Sequence, residues 1–241
     1  FGVQGGNMAR LIVQRAGLPD CVTAQTVNRY CSSGLQTIAT AANAIRCGEE
    51  DVVIAGGVES MSLVPMLVGA EDADPWLAEH RPEVYTTMGI TAENVARQWG
   101  ISRADMDAMA VESHRRAAQA QAGGCFDGQI IPITVHGKRE NTVITTDEHV
   151  RRDTTLEKLA KLKPTFKADG RVTAGNASGM NDASSGVLLM EEELSKKLGL
   201  PILARVVAVA TTGVSPDLMG IGPISATQKV LEKAGLTVSD I

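Results

Sequence analysis

A continuous apolar run at residues 52–55, Val-Val-Ile-Ala, constrains the fold more than any other feature of the sequence. Because polar and apolar side chains do not alternate in it, the run predicts a strand, at residues 51–55, that is buried on both faces. A helical pattern precedes it: apolar residues recur at helical spacing from Leu35 to Ile45, and Gly48 ends the segment. This alternation of helix and buried strand is typical of an α/β layer architecture.

The rest of the chain continues the alternation around an irregular middle. Ser102 and Asp105 have the spacing of a capping box, which predicts a long helix from about Arg103 to Gly123. Asp182 is predicted to cap a further helix. The other predictions are helices at 7–15, 182–197 and 226–234, short strands at 129–135 and 141–145, and a second buried strand at 202–210. We therefore expect one layered domain interrupted by an inserted domain.

Composition limits the class of protein. The chain is 44% apolar and 21% charged, proportions typical of a soluble globular protein. Its 23 Lys and Arg against 28 Asp and Glu give a net charge of -5, the wrong sign for a dedicated nucleic-acid binder. The sequence has no apolar stretch long enough to predict a membrane span. Because the four cysteines form no CxxC pair and the histidines have no metal-ligand spacing, we expect a reducing compartment and no bound metal.

Cys31 is the sharpest candidate for chemistry, because it lies between a short extended run at residues 23–27 and the first turn of a predicted helix. Free backbone N–H groups and the helix dipole stabilise a thiolate at such a position, which favours a nucleophile. The small neighbours Ser32, Ser33 and Gly34 leave room for a substrate. A small buried apolar residue at a tight turn is the alternative. The other three cysteines, Cys21, Cys47 and Cys125, lack this position.

Three further segments have the composition of ligand-binding loops. Residues 172–182 are small and polar and lead towards the helix predicted at Asp182, so they can either approach a ligand closely or form an ordinary turn. Residues 219–223 form a second glycine-rich turn. The stretch from Arg151 to Lys167 is basic in an acidic chain, which fits either a phosphate-bearing ligand or a solvated helix face.

Six sequence motifs carry a family resemblance when they are taken together in chain order. They are NRYCSSGLQ around Cys31, AGGVESMS from Ala55, MGITAENVA from Met88, LKPTF and VTAGNASGMND within residues 162–182, and MGIGP from Met219. Over nearly its whole length the chain resembles the thiolases, the acetyl-CoA acyltransferases. The resemblance implies an α/β/α/β/α layered core with an inserted loop domain, the C-terminal half of the core being largely missing. It also implies an N-terminal core at 1–63, a CoA-binding loop domain at 64–180, a return to the N-terminal core at 181–202 and the start of the C-terminal core at 203–241.

The resemblance also implies an activity and a set of site residues. Cys31 would be the nucleophile that carries the acyl-thioester intermediate when a 3-ketoacyl-CoA is cleaved by CoA, and stabilisation of the acetyl-CoA enolate would need preorganised donors. By similarity, coenzyme A contacts fall on Met88, Arg151, Leu162, Phe166, Ala174 and Ser178. CoA would be a substrate, with no permanently bound cofactor, and the chain would form a homodimer or homotetramer.

The motif PEVYTTMGITAE favours the degradative 3-ketoacyl-CoA thiolases of fatty acid β-oxidation, since Thr87 stands where biosynthetic members have a histidine. Two alternatives stay open: a biosynthetic acetoacetyl-CoA thiolase, and a non-catalytic acyl-CoA-binding relative. A ketoacyl synthase also places a cysteine at a helix start, but the residues of the NRYCSSGLQ and GNASGMND motifs favour a thiolase.

Several catalytic motifs of the family are not found in these 241 residues: NEAF, the GHP histidine and the CxGGG cysteine. None of the four histidines has a GHP context; they are His80, His114, His136 and His149. We therefore expect the chain to be an internal piece of a thiolase that is inactive on its own. The compartment is expected to be cytoplasmic in a bacterium and mitochondrial or peroxisomal in a eukaryote.

Overall fold

A computed structural model of the chain describes residues 6–64 and 72–241. The helices are α1 (Met8–Arg15), α2 (Ser33–Arg46), α3 (Pro75–His80), α4 (Met88–Gln98), α5 (Arg103–Ala122), α6 (Leu156–Ala160), α7 (Glu192–Lys197) and α8 (Gly222–Ala234). The strands are β1 (Val52–Glu59), β2 (Ile133–His136), β3 (Asn141–Ile144) and β4 (Ala183–Met190). Short 3-10 turns lie at Tyr30–Ser32, Pro82–Tyr85, Pro216–Ile221 and Val238–Asp240.

The chain divides into two compact units. The first comprises the described residues of Phe1–Gly69 together with Met180–Thr211 and Ala226–Ile241, and the second comprises those of Ala70–Gly179 together with Thr212–Ser225. The assignment of residues to an N-terminal core, an inserted domain and a C-terminal core stays a prediction, and residues 65–71 of the expected loop domain lie outside the described residues. None of the helices in the described part of the chain is both long and apolar enough to cross a bilayer.

In the first unit, helix α2 lies against a two-stranded antiparallel sheet. Strands β1 and β4 pair in a register that runs from Val52 opposite Met190 to Glu59 opposite Ala183. The side facing the sheet is built of small residues, because Ala39 and Ala42 of α2 and Ala55 of β1 are all buried. Small side chains let helix and sheet approach closely, and this contact sets the position of the residues that lead into α2.

The predicted strand at residues 51–55 is confirmed, but its burial on both faces is wrong in the described chain. Ala55, on the side of α2, is 3% exposed, whereas its neighbour Ile54, on the opposite face, is 64% exposed. The pairing is also antiparallel, which a continuous apolar run does not predict.

The predicted helix at 182–197 is wrong in its first half. Residues 183–190 form strand β4, and only Glu192–Lys197 are helical, with the Glu191 carboxylate as the N-cap. Ser, Gly and Val are poor helix formers, and pairing with β1 gives all eight residues a backbone partner that the sequence pattern does not reveal.

The predicted strand at 202–210 is also wrong, because residues 201–215 adopt neither helix nor strand. Its carbonyl groups accept hydrogen bonds from side chains of the same unit. The Arg46 guanidinium donates to Val206 O, and the Lys233 ammonium donates to Val209 O at 3.0 Å. Side-chain donors thus satisfy backbone acceptors that a neighbouring strand would otherwise satisfy.

The second unit is built on two longer helices, α4 and α5. The predicted capping box at the start of α5 is confirmed, since the Ser102 hydroxyl accepts from Asp105 N and the Asp105 carboxylate accepts from Ser102 N. The hydrogen bonds from Ser102 hold the pKa of Asp105 below its usual value. The strand predicted at 141–145 is confirmed, whereas the one predicted at 129–135 begins only at Ile133; the two form a hairpin, with Ile133 opposite Ile144. Helix α6 and the loop at 161–179 lie in the same unit.

Candidate active site

Cys31 lies in the 3-10 turn that leads directly into α2, so its predicted place at the start of a helix is confirmed. Its side chain is exposed in the described chain. Residues 22–29, which precede the turn, form neither helix nor strand. Tyr30 has a φ of +49°, the left-handed region that L-residues rarely adopt, so the residue before the cysteine has a strained backbone.

Polar residues of the NRYCSSGLQ motif hold this turn in shape. The backbone N–H of Arg29 donates to Ser33 Oγ at 2.8 Å, and that hydroxyl donates to Tyr30 O at 2.7 Å. The backbone N–H of Tyr30 donates to Asn28 Oδ1 at 2.8 Å. From the sequence, Ser33 is expected only to leave room for a substrate, and the hydrogen bond that Asn28 accepts is not expected. Hydrogen bonds on both sides of Cys31 therefore fix the backbone that presents its thiol.

Two glycines of the AGGVESMS motif lie beside the start of α2, and one of them, Gly56, sets how closely β1 and β4 approach. A Cβ on Gly56 would lie 2.7 Å from Ser185 O of β4, and one on Gly57 would lie 4.0 Å from Gly34 Cα in α2. The Thr37 hydroxyl of α2 donates to Gly56 O at 3.1 Å. A small depression of about 80 Å³ is lined by Gly34, Ala55 and Gly56 of this region together with β4 residues. Gly56 is thus required for the close pairing of β1 with β4, whereas a Cβ on Gly57 would only make an ordinary van der Waals contact with α2.

Asp182 lies at the junction of two motifs rather than at a helix start. Its carboxylate accepts from the backbone N–H of Ser62 at 2.8 Å and from the Ser60 hydroxyl at 3.3 Å. These bonds, led by those from Ser62, hold the pKa of Asp182 below its usual value. The carboxylate therefore ties the end of the AGGVESMS motif to the end of the GNASGMND motif.

The second unit holds all six residues expected to contact CoA, and each of them is exposed. Met88 and Phe166 come together because Gly89, the residue after Met88, lies against the Phe166 ring: a Cβ on Gly89 would lie 2.3 Å from that ring. Gly89 is therefore required for this approach between α4 and the LKPTF motif.

Leu162 and the loop that carries Ala174 and Ser178 also come together. A Cβ on Gly175 would lie 2.6 Å from a methyl carbon of Leu162 and 2.5 Å from one of Leu159. Arg151 precedes α6, and its backbone N–H donates to His114 Nδ1 at 3.2 Å. Arg151 takes no part in the contacts described above, which bring Met88 close to Phe166 and Leu162 close to the loop of Ala174 and Ser178.

The basic stretch that begins at Arg151 is partly neutralised by its own neighbours. The ammonium group of Lys158 lies 2.6 Å from an Asp153 oxygen, and that of Lys161 lies 2.7 Å from a Glu157 oxygen. Lys158 also holds the pKa of Asp153 below its usual value. The positive potential that the composition suggests is therefore reduced in this stretch.

An apolar depression of about 300 Å³ lies beside Met88 in the second unit. Val95 of α4, Met106 of α5 and Met219 of the MGIGP motif also line it. The Asn94 amide donates to Asp217 O at 3.1 Å and so ties α4 to the turn before that motif. Among residues 6–64 and 72–241, no group of three or more His, Cys, Asp or Glu side chains has the arrangement of a metal site.

Known proteins match this chain over nearly its whole length. The family profile of the thiolase N-terminal domain matches residues 2–193, and that of the thiolase C-terminal domain matches residues 200–241. The chain is 49% identical to a protein of Bacillus subtilis named 3-ketoacyl-CoA thiolase, covering 99% of this chain and 63% of the relative. It is 46% identical to a protein of Chromobacterium violaceum named acetyl-CoA acetyltransferase, covering 98% of this chain and 64% of the relative.

Solved structures show the same similarity. The crystal structure of the Bacillus anthracis acetyl-CoA acetyltransferase matches with a TM-score of 0.83 and 45% identity, over 98% of this chain and 62% of that one. The chain therefore spans a little under two thirds of the length of these relatives, and its α/β architecture is that of the corresponding part of a thiolase. With both family profiles matched in order, the chain belongs to the thiolase family.

Proposed function

We propose that the protein acts as a 3-ketoacyl-CoA thiolase, which uses CoA to cleave a 3-ketoacyl-CoA into acetyl-CoA and an acyl-CoA shortened by two carbons. The observation that carries the proposal is the exposed thiol of Cys31, held by a hydrogen-bonded turn at the start of α2. A cysteine at this position suits covalent catalysis, because its exposed thiol is open to a substrate and the backbone that presents it is held in place.

In the first half of the proposed reaction, the Cys31 thiolate attacks C3 of the substrate. The bond between C2 and C3 breaks, and its electron pair becomes the enolate of acetyl-CoA, which takes a proton at C2 from a general acid. The acyl group stays on Cys31 as a thioester. The enolate needs preorganised donors at its oxygen, since its charge develops as the carbon–carbon bond breaks.

In the second half, the thiol of a second CoA gives its proton to a general base and attacks the thioester carbon. Cys31 leaves as a thiolate, and the shortened acyl-CoA is released. The GHP histidine and the CxGGG cysteine of the family are the candidates for these proton transfers, by resemblance. The acyl group passes to Cys31 in the first half and from Cys31 to CoA in the second, which divides a difficult carbon–carbon cleavage into two acyl transfers.

The proposal assigns CoA to the second unit. The apolar groups of Met88, Leu162 and Phe166 suit the pantetheine arm, and Arg151 suits the phosphate groups of the nucleotide. Exposure of all six candidates supports this assignment, as does the close contact of Phe166 with Gly89. A dimer or tetramer of the chain belongs to the same proposal, and light scattering of the native protein tests it.

The degradative direction is the finer part of the proposal. It is supported by Thr87, which stands where the resemblance places a histidine in biosynthetic members, and by the 49% identity to a relative named 3-ketoacyl-CoA thiolase. The name acetyl-CoA acetyltransferase on a 46% identical relative favours acetoacetyl-CoA synthesis as the second candidate. Rates with acetoacetyl-CoA and with longer 3-ketoacyl-CoAs discriminate the two: the proposal expects the longer substrates to be cleaved at least as fast.

The proposed activity is tested by incubating the native full-length protein with a 3-ketoacyl-CoA and CoA and measuring acetyl-CoA formation. We expect CoA-dependent cleavage that is lost in Cys31→Ala and kept in Cys125→Ala, the matched substitution of an exposed cysteine outside the site. CoA binding without any cleavage by the wild type would support the non-catalytic alternative instead.

A further inference from the structure

Two carboxylates of the second unit are buried although they lie on helices with exposed faces. Glu93 of α4 is 5% exposed and Asp107 of α5 is 4% exposed. A buried carboxylate is costly unless hydrogen bonds compensate it. The partners of both groups are therefore informative, and both lead to the segments that carry the CoA candidates.

Glu93 holds the beginning of the loop at residues 171–178, which we name the CoA loop. The backbone N–H groups of Arg171 and Val172 both donate to Glu93 Oε1 at 2.7 Å. Gly170 lies so close that a Cβ there would be 2.5 Å from the same oxygen. Two N–H groups on one oxygen fix the orientation of successive peptide planes, and Thr173, the next residue, is fully buried.

Asp107 holds the middle of the CoA loop. Its Oδ1 accepts from the Asn176 amide at 2.9 Å, and Asn176 Oδ1 accepts in turn from the backbone N–H of Thr173 at 2.8 Å. The Arg103 guanidinium donates to Asp107 Oδ2 at 2.7 Å. The same guanidinium donates to Leu162 O at 3.2 Å, so one ion pair connects the CoA loop with the LKPTF segment.

We propose that Glu93 and Asp107 are positioning residues for CoA. They hold the CoA loop and Leu162 in the binding conformation before CoA arrives, so that CoA does not have to order these segments itself. The inference rests on the proposed function, because it takes Leu162, Ala174 and Ser178 as the contacts. It goes beyond that function in assigning CoA affinity to two acidic side chains outside the predicted contact set.

The test compares four variants of the native full-length protein: Glu93→Met, Glu93→Gln, Asn176→Ala and, as the control, Glu112→Gln. Glu112 lies on α5 with Asp107, but its partners are Arg115 and Arg116 on the exposed face. The readouts are the Kd of CoA by calorimetry, the KM for CoA and kcat in thiolysis, thermal unfolding, and the rate at which iodoacetamide alkylates Cys31, which does not require CoA.

We expect Glu93→Met and Asn176→Ala to raise the Kd and KM for CoA by roughly ten-fold, because each variant loses one to two hydrogen bonds that involve a charged group. The alkylation rate of Cys31 should stay at the wild-type value. Glu93→Gln should recover most of the affinity, because its amide oxygen can accept from the same two N–H groups. Glu112→Gln should bind CoA as the wild type does.

Wild-type CoA affinity in folded Glu93→Met and Asn176→Ala would overturn the inference, even if both variants unfold at a lower temperature, because their role would then be structural only. If Glu93→Met does not fold, Asn176→Ala alone decides, since it truncates a partly exposed loop residue. Failure of the wild type to bind CoA would overturn the proposed function and this inference together, whereas normal wild-type binding with unaffected variants would overturn the inference alone.

Discussion

The carboxylate of Asp182 accepts a hydrogen bond from the backbone N–H of Ser62 at 2.8 Å. The two residues are distant in sequence, and the bond joins the segment after β1 to the segment before β4. Since β1 and β4 pair along their full length, this carboxylate closes the open end of the pair beyond Glu59 and Ala183. It does so inside the unit that also carries Cys31.

The Asp182 interaction predicts a pH dependence of stability. In the folded state these hydrogen bonds lower the pKa of Asp182 below 3.8, the ordinary value that applies to the unfolded chain. The contribution of the carboxylate to the free energy of unfolding is therefore fully present above about pH 3.8 and is lost as the pH falls through the folded pKa. We expect the unfolding temperature of the wild type to exceed that of Asp182→Asn near neutral pH, and the gap to narrow below pH 3.8. Asp51→Asn, at an exposed aspartate just before β1, is the control; a gap that does not change with pH would contradict the assignment.

The contact between Gly89 and Phe166 predicts that Gly89→Ala is destabilising. A methyl group there would lie 2.3 Å from the ring, which forces Phe166 or α4 to move, at a cost of about 1–3 kcal/mol. The gain in helix propensity, at most about 1 kcal/mol, does not offset this. Denaturant unfolding should show a lower free energy of unfolding for Gly89→Ala, and calorimetry should show a weaker affinity for CoA.

Gly128→Ala serves as the control for Gly89→Ala, because a Cβ on Gly128 meets nothing within 4 Å. Equal stability of the two variants would mean that the Phe166 ring moves away freely, and the tight approach of α4 to the LKPTF motif would then not matter.

The left-handed backbone of Tyr30 predicts an order of stability among substitutions at this position. Its side chain is 84% exposed, so a change there loses little packing. A β-branched residue tolerates a positive φ worst, and we expect Tyr30→Val to lose about 1–2 kcal/mol, whereas Tyr30→Gly should match or exceed the wild type. Thermal unfolding of the three proteins measures the order, and a Val variant as stable as the Gly variant would show that the turn carries no strain.

Elements with local signals were predictable from the sequence. The start of α5 follows from Ser102 and Asp105 alone, because a capping box needs only four consecutive residues. The position of Cys31 ahead of α2 follows from the glycine and small residues around it. The positive φ of Tyr30 was not predictable, because tyrosine rarely adopts this region and residue type alone does not specify the hydrogen bonds that hold the turn.

Elements whose state depends on distant partners were not predictable. Residues 187–190 form a continuous apolar run that suits either a helix or a strand, and pairing with β1, more than a hundred residues earlier, decides for the strand. Glu93 and Asp107 were missed because a charged residue on an amphipathic helix is ordinarily placed on its solvated face. The available signal was that Glu93 lies inside the MGITAENVA motif, whereas Asp107 lies outside the motifs, on α5.

Acylation of Cys31 is the central claim, and intact-protein mass spectrometry after exposure of the native full-length protein to acetyl-CoA tests it most directly. The account predicts a single acetyl adduct that free CoA removes, that Cys31→Ala abolishes and that Cys125→Ala retains. A wild type without an adduct under conditions where CoA binds, or an adduct that persists in Cys31→Ala, would contradict it.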